Sequence, residues 1–278
     1  MLKKMAFQGE KGAYSELAAH KFYKKKAVAI PCKSFSDVFK AVSNNSVDFG
    51  IIPIENSLAG SIYENFDLLS KNKVWIFGEY KLKISHNLFI NKGTKLENIV
   101  KVYSHPQAFL QCKESLSHYK KIEQRPFFDT AGSVQFIVEN NMLDSAAIAG
   151  AQALDHYPVK AALRGIEDND KNFTRFVAIC KNKNQAMKIP KGSKGMKTSI
   201  VFALKNIPGA LHKAMSLFAI HNIDLLKIES RPMPGSPWKY LFYLDFKGDC
   251  KNKSEKWVLD GLQQFTRHME ILGSYPRN

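Results

Sequence analysis

The chain has 278 residues, 45% apolar and 12% aromatic, enough to fill sizeable cores and to build two or three domains. Lys and Arg outnumber Asp and Glu by 41 to 25, a net charge of +16. The excess is spread, net +6 over residues 1–180 and +10 over 181–278, not gathered into aromatic-laced stripes, so a solvated surface that mildly steers an anionic substrate fits better than nucleic-acid binding.

No apolar stretch approaches a membrane span, and Gln8, Gly9, Glu10 and Lys11 interrupt the run that a signal peptide needs after its basic start. Cys32, Cys112, Cys180 and Cys250 lie far apart with no CxxC pair, so a reduced, cytoplasmic protein is expected. There is no Walker A loop and no GxGxxG, and the eight histidines are scattered, so neither a nucleotide cofactor nor a metal is indicated.

Along the chain, Met5–Phe7 reads as a strand stopping at a turn bracketed by Gly9 and Gly12, and a helix opens at Tyr14-Ser15-Glu16. Phe35–Val42 reads as a helix with Ser34 as N-cap and Asp37 at N3. Phe49–Ile54 is a buried-type strand, Asn56–Gly60 a polar loop, and 62–70 a helix. Strands follow at Val74–Phe77, Ile84–Ile90 and Val100–Tyr103, then a helix over Gln107–Leu116. Asp129-Thr130-Ala131 caps a helix running to about Asn140. Ala146–Ala149 is a strand, Ala151–His156 a short helix, and Phe176–Cys180 a strand.

This alternation implies an α/β architecture of two lobes, with chain crossings near 78 and 160. Lobe 1 is then 1–78 plus 160–180, and lobe 2 is 79–159. Residues 181–197, with six Lys, one Pro and two Gly, read as a linker. Beyond it, 198–278 follow a βαββαβ order: strands Ser199–Leu204, Ile223–Ser230, Trp238–Phe246 and Glu270–Leu272, with helices Ala210–His221 and Ser254–His268, the latter capped by Ser254. That order is the ferredoxin-like unit.

Ligands of open α/β sheets bind beyond the carboxyl ends of strands. Four polar groups fall there: Gly9–Ser15, Glu55-Asn56-Ser57, Ser104-His105 and Asp129-Thr130. Each has a helix N-terminus close behind, suited to a carboxylate or phosphate. Asn172–Phe176 precedes a strand, and Arg175 has the fork to bind a carboxylate bidentately. Each residue also has a plainer reading. Ser57, Ser104 and Thr130 are ordinary N-caps, Glu55 a capping carboxylate, His105 a turn residue before Pro106, and Arg175 half of an internal ion pair. The pattern alone points to an anion-binding cleft between two lobes.

Five segments in order resemble the signatures of the prephenate dehydratase family: Phe7–Ser15, Pro53–Gly60, Tyr103–Gln107 with Gln111-Cys112, Asp129–Val134, and the hallmark Asn172-Phe173-Thr174-Arg175-Phe176. The C-terminal unit resembles an ACT regulatory domain through Pro208–Leu211, Ile228–Pro232 and Leu272–Pro276. The resemblance implies a periplasmic-binding-protein-like catalytic region over 1–180, with its site in the cleft, and an ACT domain over 198–278. It implies conversion of prephenate to phenylpyruvate, CO2 and water in phenylalanine biosynthesis, with L-phenylalanine as feedback inhibitor.

By the same resemblance Thr174 donates a hydrogen bond to the departing hydroxyl, and Asn56, Ser104, Gln111 and Glu55 complete a polar catalytic wall. Ser15, Ser57, Thr130 and Arg175 bind carboxylates, with Phe176 packed beneath. Gly209, Ala210, Leu211, Glu229, Ser230, Arg231 and Pro232 form the effector site, where the helix start takes a carboxylate and Glu229 an ammonium group. His212 departs from the apolar or aromatic residue expected next. No metal or cofactor is implied, and no nucleic acid or membrane. Starting so close to the first signature, the chain is expected to be monofunctional, and ACT pairing implies a homodimer or homotetramer. Arogenate dehydratase shares these motifs, and a non-catalytic amino-acid sensor would share the fold.

Overall fold

The computed structural model describes residues 2–24, 27–186, 195–233 and 235–278. Residues 187–194 of the expected linker, and Lys25 and Lys26, lie outside the described residues.

Lobe 1 is built from β1 (Lys3–Gln8), α1 (Tyr14–Tyr23), β2 (Ala27–Cys32), α2 (Phe35–Ser43), β3 (Phe49–Asn56), β4 (Gly60–Ser61), α3 (Tyr63–Lys71) and β5 (Trp75–Lys83). Lobe 2 follows with β6 (Asn87–Asn91), β7 (Lys101–Ser104), α4 (Pro106–Gln111), α5 (Lys113–Ser117), β8 (Glu123–Pro126), α6 (Thr130–Glu139), β9 (Ser145–Ala149) and β10 (Val159–Arg164). The chain then returns to lobe 1 as β11 (Phe173–Cys180). The lobe 1 sheet has the order β2-β1-β3-β11-β5, with β4 on β3, and the lobe 2 sheet has the order β10-β6-β9-β7-β8. All of β5 belongs to lobe 1 and all of β10 to lobe 2, so the crossings fall at 84–86 and 165–172 rather than near 78 and 160.

The local reasons are legible. Ser34 caps α2, its hydroxyl accepting from the Asp37 N–H, and Val38, Phe39 and Val42 form the buried stripe of that helix. Asp129 caps α6 in the same way, accepting from Gly132 N–H. Strands β2, β8 and β10 carry weak signals in the sequence. β2 is Ala-rich and holds Pro31, which an edge strand tolerates, and β8 is exposed throughout.

The C-terminal domain comprises β12 (Met196–Leu204), α7 (Ala210–Ile220), β13 (Leu225–Pro232), β14 (Tyr240–Lys247), α8 (Lys253–Gln263) and β15 (Thr266–Pro276). Its sheet order, β13-β14-β12-β15, is the ferredoxin-like one. Two expectations change. Asn252, not Ser254, precedes the first helical residue of α8. The last strand runs over eleven residues because it pairs with β12 along nearly its whole length.

Both faces of this sheet are buried. On β12 and β14, Ile200, Phe202, Leu244 and Phe246 pack against α7 and α8. The alternate residues Val201, Ala203, Leu241 and Tyr243 share one core with Ile52, Ile54, Phe66 and Val177 of lobe 1. Gly273 of β15 sits where a Cβ would collide with the Ile76 carbonyl, so only glycine allows that close approach to β5.

Candidate active site

A cleft of about 490 Å³ opens between the lobes. It is lined by the β1–α1 loop, the end of β3, the 84–86 crossing, α4, the start of α6 and the first residues of β11. Antiparallel insertion of β11 between β3 and β5 is what brings residues 172–176 beside Asn56. Gly9, at φ 111°, turns the chain off β1 toward α1 with Asp129 close by.

One hydrogen-bonded chain crosses the polar wall, and two backbone groups set its direction. Asn56 Oδ1 accepts from the N–H groups of Leu58 (3.0 Å) and Ala59 (2.9 Å). Its Nδ2 must therefore donate, and it reaches Asn172 Oδ1 at 2.7 Å and Thr174 Oγ1 at 3.0 Å. Asn172 Nδ2 then donates to Gln111 Oε1 at 3.0 Å, and the same oxygen lies 2.8 Å from His86 Nε2. Because that oxygen accepts, His86 carries its proton on Nε2, and its Nδ1 lies 3.1 Å from the Tyr14 hydroxyl. The Thr174 hydroxyl hydrogen and the Gln111 amide hydrogens remain available to a ligand. The wall thus offers donors rather than acceptors.

Burial holds His86 below its ordinary pKa, with Gln111 and Glu167 opposing, so the ring is neutral at neutral pH. A depressed folded-state histidine contributes stability that is complete above the unfolded-state pKa and is lost as pH falls below it. The urea midpoint is therefore expected to decline from pH 7.5 to 5.5, and less steeply in His86→Gln. An equal decline in both proteins would remove His86 from that account.

Apart from Asp129, the rest of the cleft is lined by apolar and neutral polar residues. Phe35, Ile84, Phe128 and Phe176 line it, with Ser15 and Thr130 at the starts of two helices. Among the described residues that line it there is no Lys or Arg, and Asp129 supplies the carboxylate.

The structure brings together Ser15, Asn56, Gln111, Thr130, Thr174 and Phe176 from the expected set. It places four others elsewhere. Arg175 and Glu55 are not substrate-facing: residues adjacent on a strand point to opposite faces, so they lie behind Thr174 and Asn56. Arg175 Nε donates to Glu55 Oε1 at 2.6 Å, realising the internal ion pair. Ser104 is fully buried and donates to the Ile148 carbonyl at 2.8 Å, tying β7 to β9. Ser57 donates to Lys171 O at 3.1 Å and accepts from Phe173 N–H at 2.9 Å, stapling its loop to the start of β11. Asn172 and His86 are members of the chain absent from the expected set; Asn172 lies within the hallmark segment, whereas the signal for His86 was position, at a crossing between lobes that was placed six to eight residues too early.

The effector set also divides. Gly209, Ala210 and Leu211, with His212, line a second cavity of about 680 Å³ beside Trp238, Tyr240 and Phe242. Glu229, Ser230, Arg231 and Pro232 do not line it. Glu229 and Arg231 stand opposite Tyr243 and Leu241, the residues of β14 that face lobe 1. Glu229 accepts from Ser61 at 2.6 Å, and Arg231 pairs with Asp67 at 2.9 Å over the Tyr63 ring.

Residues 5–184 match the family described as PDT: Prephenate dehydratase. The chain is 39% identical to arogenate dehydratase 2 of Petunia hybrida, covering 98% of this chain and 71% of that protein. It is 35% identical to the bifunctional chorismate mutase/prephenate dehydratase of Pseudomonas aeruginosa, covering 99% and 73%. The solved structure of an Arthrobacter aurescens prephenate dehydratase in complex with L-Phe superposes with a TM-score of 0.88 at 26% identity, covering 99% of this chain and 90% of that one. A protein described as a novel type of quorum-quenching acylase also superposes at 0.88, with 29% identity and coverage of 99% and 98%. With a family match across the whole two-lobed region and relatives similar over nearly the full length, the chain belongs to the prephenate dehydratase family.

Proposed function

We propose that the cleft catalyses the decarboxylating dehydration of prephenate. The bond between the ring and its carboxylate breaks, CO2 leaves, and that electron pair aromatises the ring as hydroxide departs from the opposite carbon. Hydroxide leaves as water once protonated, and phenylpyruvate remains. Aromatisation supplies the driving force.

The observation that carries this reading is the fixed direction of the Asn56–Asn172–Gln111–His86 chain. It leaves the Thr174 hydroxyl, already accepting from Asn56, free to donate to a departing oxygen. A neutral hydroxyl is a weak acid, so Thr174 polarises and positions the leaving group, and the net proton that turns hydroxide into water is taken up from the buffered solvent. The apolar, cation-free wall complements this. A Lys or Arg beside the ring carboxylate would hold it in its ionised ground state, whereas Phe35, Ile84 and Phe176 do not. The helix starts at Ser15 and Thr130 suit the side-chain carboxylate.

Arogenate is the second reading. It differs by an ammonium in place of the keto group, and Asp129 is the carboxylate lining the cleft, its pKa raised by burial and open to being drawn down by a cation. An acylase reading has less support, because among the described residues no cleft Ser, Thr or Cys pairs with a histidine. Purified protein is expected to form phenylpyruvate from prephenate, read by its absorbance in alkali. A higher kcat/KM with arogenate, read by phenylalanine release, would reassign the substrate.

The C-terminal domain is read as an ACT-type regulatory unit that binds L-phenylalanine in its own cavity, supported by the ligand described for the Arthrobacter relative. The site forms at the start of α7, where Gly209 adopts φ 71°. The domain is expected to pair with a second copy in a homodimer or homotetramer. Gly209→Val is expected to weaken phenylalanine binding by about tenfold or more, since a β-branched residue is strained at positive φ. Calorimetry showing equal affinity would move the site elsewhere.

A further inference from the structure

The strands that carry the catalytic pair hold a buried charge cluster on their other face, and the reaction does not use it. β3 and β11 pair with Asn56 opposite Thr174 and Glu55 opposite Arg175. The first pair faces the cleft and the second faces the C-terminal sheet. Behind the sheet, Arg175 Nε lies 2.6 Å from Glu55 Oε1, and its Nη1 lies 3.3 Å from Glu79 Oε2 and 2.8 Å from Asp245 Oδ2. Lys227 Nζ reaches the other Glu55 oxygen at 2.7 Å, and Lys197 Nζ reaches Glu79 at 2.7 Å. Lys197, Lys227 and Asp245 come from β12, β13 and β14, so three of the four strands of the C-terminal sheet grip the back of the catalytic pair.

Adhesion alone does not call for this arrangement. Around the cluster the two domains already share an apolar core through Ile54, Ile76, Val177, Leu272 and Tyr275. Replacing buried ion pairs with well-packed apolar side chains is often neutral or stabilising. What a guanidinium fork adds is geometry, since it fixes its partners in direction as well as distance. The front-face bond it stands behind, Asn56 Nδ2 to Thr174 Oγ1 at 3.0 Å, weakens steeply when donor and acceptor lose alignment. β12 and β14 also run from the cluster to the second cavity. They hold Lys197 and Asp245 at one end, and Ala203, Leu204 and Tyr240 at the other.

We propose that Glu55 and Arg175 are positioning residues through which the C-terminal domain sets the alignment of Asn56 and Thr174, with Asp245 and Lys227 as its handles. The inference rests on the dehydratase reading of the cleft, and its test separates the two.

In the full-length protein, Asp245→Asn and Lys227→Gln are each expected to lower kcat about tenfold, with KM within about twofold of wild type. The double variant is expected to fall less than the product of the two single losses, because both act through one pair. Hydrogen exchange across residues 173–177 is expected to quicken in both, with the rest of lobe 1 unchanged. Unchanged kcat in folded variants overturns the proposal. So does a parallel drift of kcat and KM with a lowered Tm, which is general loosening of the interface. If Asp245→Asn does not fold, Lys227→Gln decides by the same criteria. Wild-type turnover tests the reading of the cleft independently. Should wild type turn over neither substrate, hydrogen exchange decides alone, and unchanged exchange across 173–177 overturns the coupling.

Discussion

Thr174→Ala is expected to lower kcat by about 10² to 10⁴, the range that a positioned hydrogen-bond donor to a leaving group supplies. KM and Tm should change little. The Thr174 side chain donates to no backbone group among the described residues, and Asn56 keeps its bond to Asn172 when the hydroxyl is gone. Thr174→Ser keeps the hydroxyl and should retain most of the rate. Near-normal turnover in Thr174→Ala would remove the hydroxyl from the mechanism and move attention to the Gln111 amide. Circular dichroism and thermal unfolding on the same samples separate lost chemistry from lost fold.

Arg175→Leu is expected to unfold the protein or to cost about 3–5 kcal/mol, because it strands buried carboxylates that the guanidinium now neutralises. The Tm should fall by roughly 10 °C. Arg175 is 6% exposed, and its partners Glu79 and Asp245 are 3% and 7% exposed. Burial opposes the Arg175 charge, but Asp245 foremost, with Glu55 and Glu79, raises the pKa above the ordinary arginine value. In return, burial pushes Glu55 up while Arg175 and Lys227 more than offset it, leaving its carboxyl below the usual range.

Arg175→Lys is the sharper variant. It keeps the charge, yet one ammonium cannot reproduce the separate Nε and Nη1 hydrogen bonds to Glu55 and Glu79 together with the ion pair to Asp245. The expected result is a lower Tm and kcat with KM nearly unchanged. A selective rise in KM, with Tm intact, would restore Arg175 to the substrate-binding role that its place in the hallmark segment suggests.

Local signals carried much of the architecture. Ser34 with Asp37, and Asp129 ahead of Thr130, are caps that depend only on a side chain and the N–H groups next in line. In β14 Leu241 and Tyr243 alternate with Leu244 and Phe246 along the chain, and the two faces are both buried, one against lobe 1 and one against α7 and α8. The ordered signature segments supplied most of the cleft lining, but they missed Phe35 at the start of α2 and the 84–86 crossing, which carries His86. Weak or non-local signals failed. β8 has no strong strand residue, β2 sets Val28 and Ile30 among alanines and Pro31, and the length of β15 depends on its partner β12 rather than on its own composition.

The sequence by itself determined the family, the two-lobed and ferredoxin-like architectures, and most of the segments that supply the site. Motif spacing and hydrophobic period are local properties that survive without coordinates. Only the tertiary structure decided which residue of each segment faces the ligand. Thr174 and Arg175 are neighbours in the hallmark, as Asn56 and Glu55 are in theirs, yet the pleat of one antiparallel pair turns one of each toward the cleft and the other toward the C-terminal sheet. The direction of the hydrogen-bonded chain was equally beyond sequence, because it follows from two backbone N–H groups closing on Asn56. Which face a side chain takes, and which way its hydrogens point, depend on partners far away in the chain, and those partners are fixed only when the domains pack.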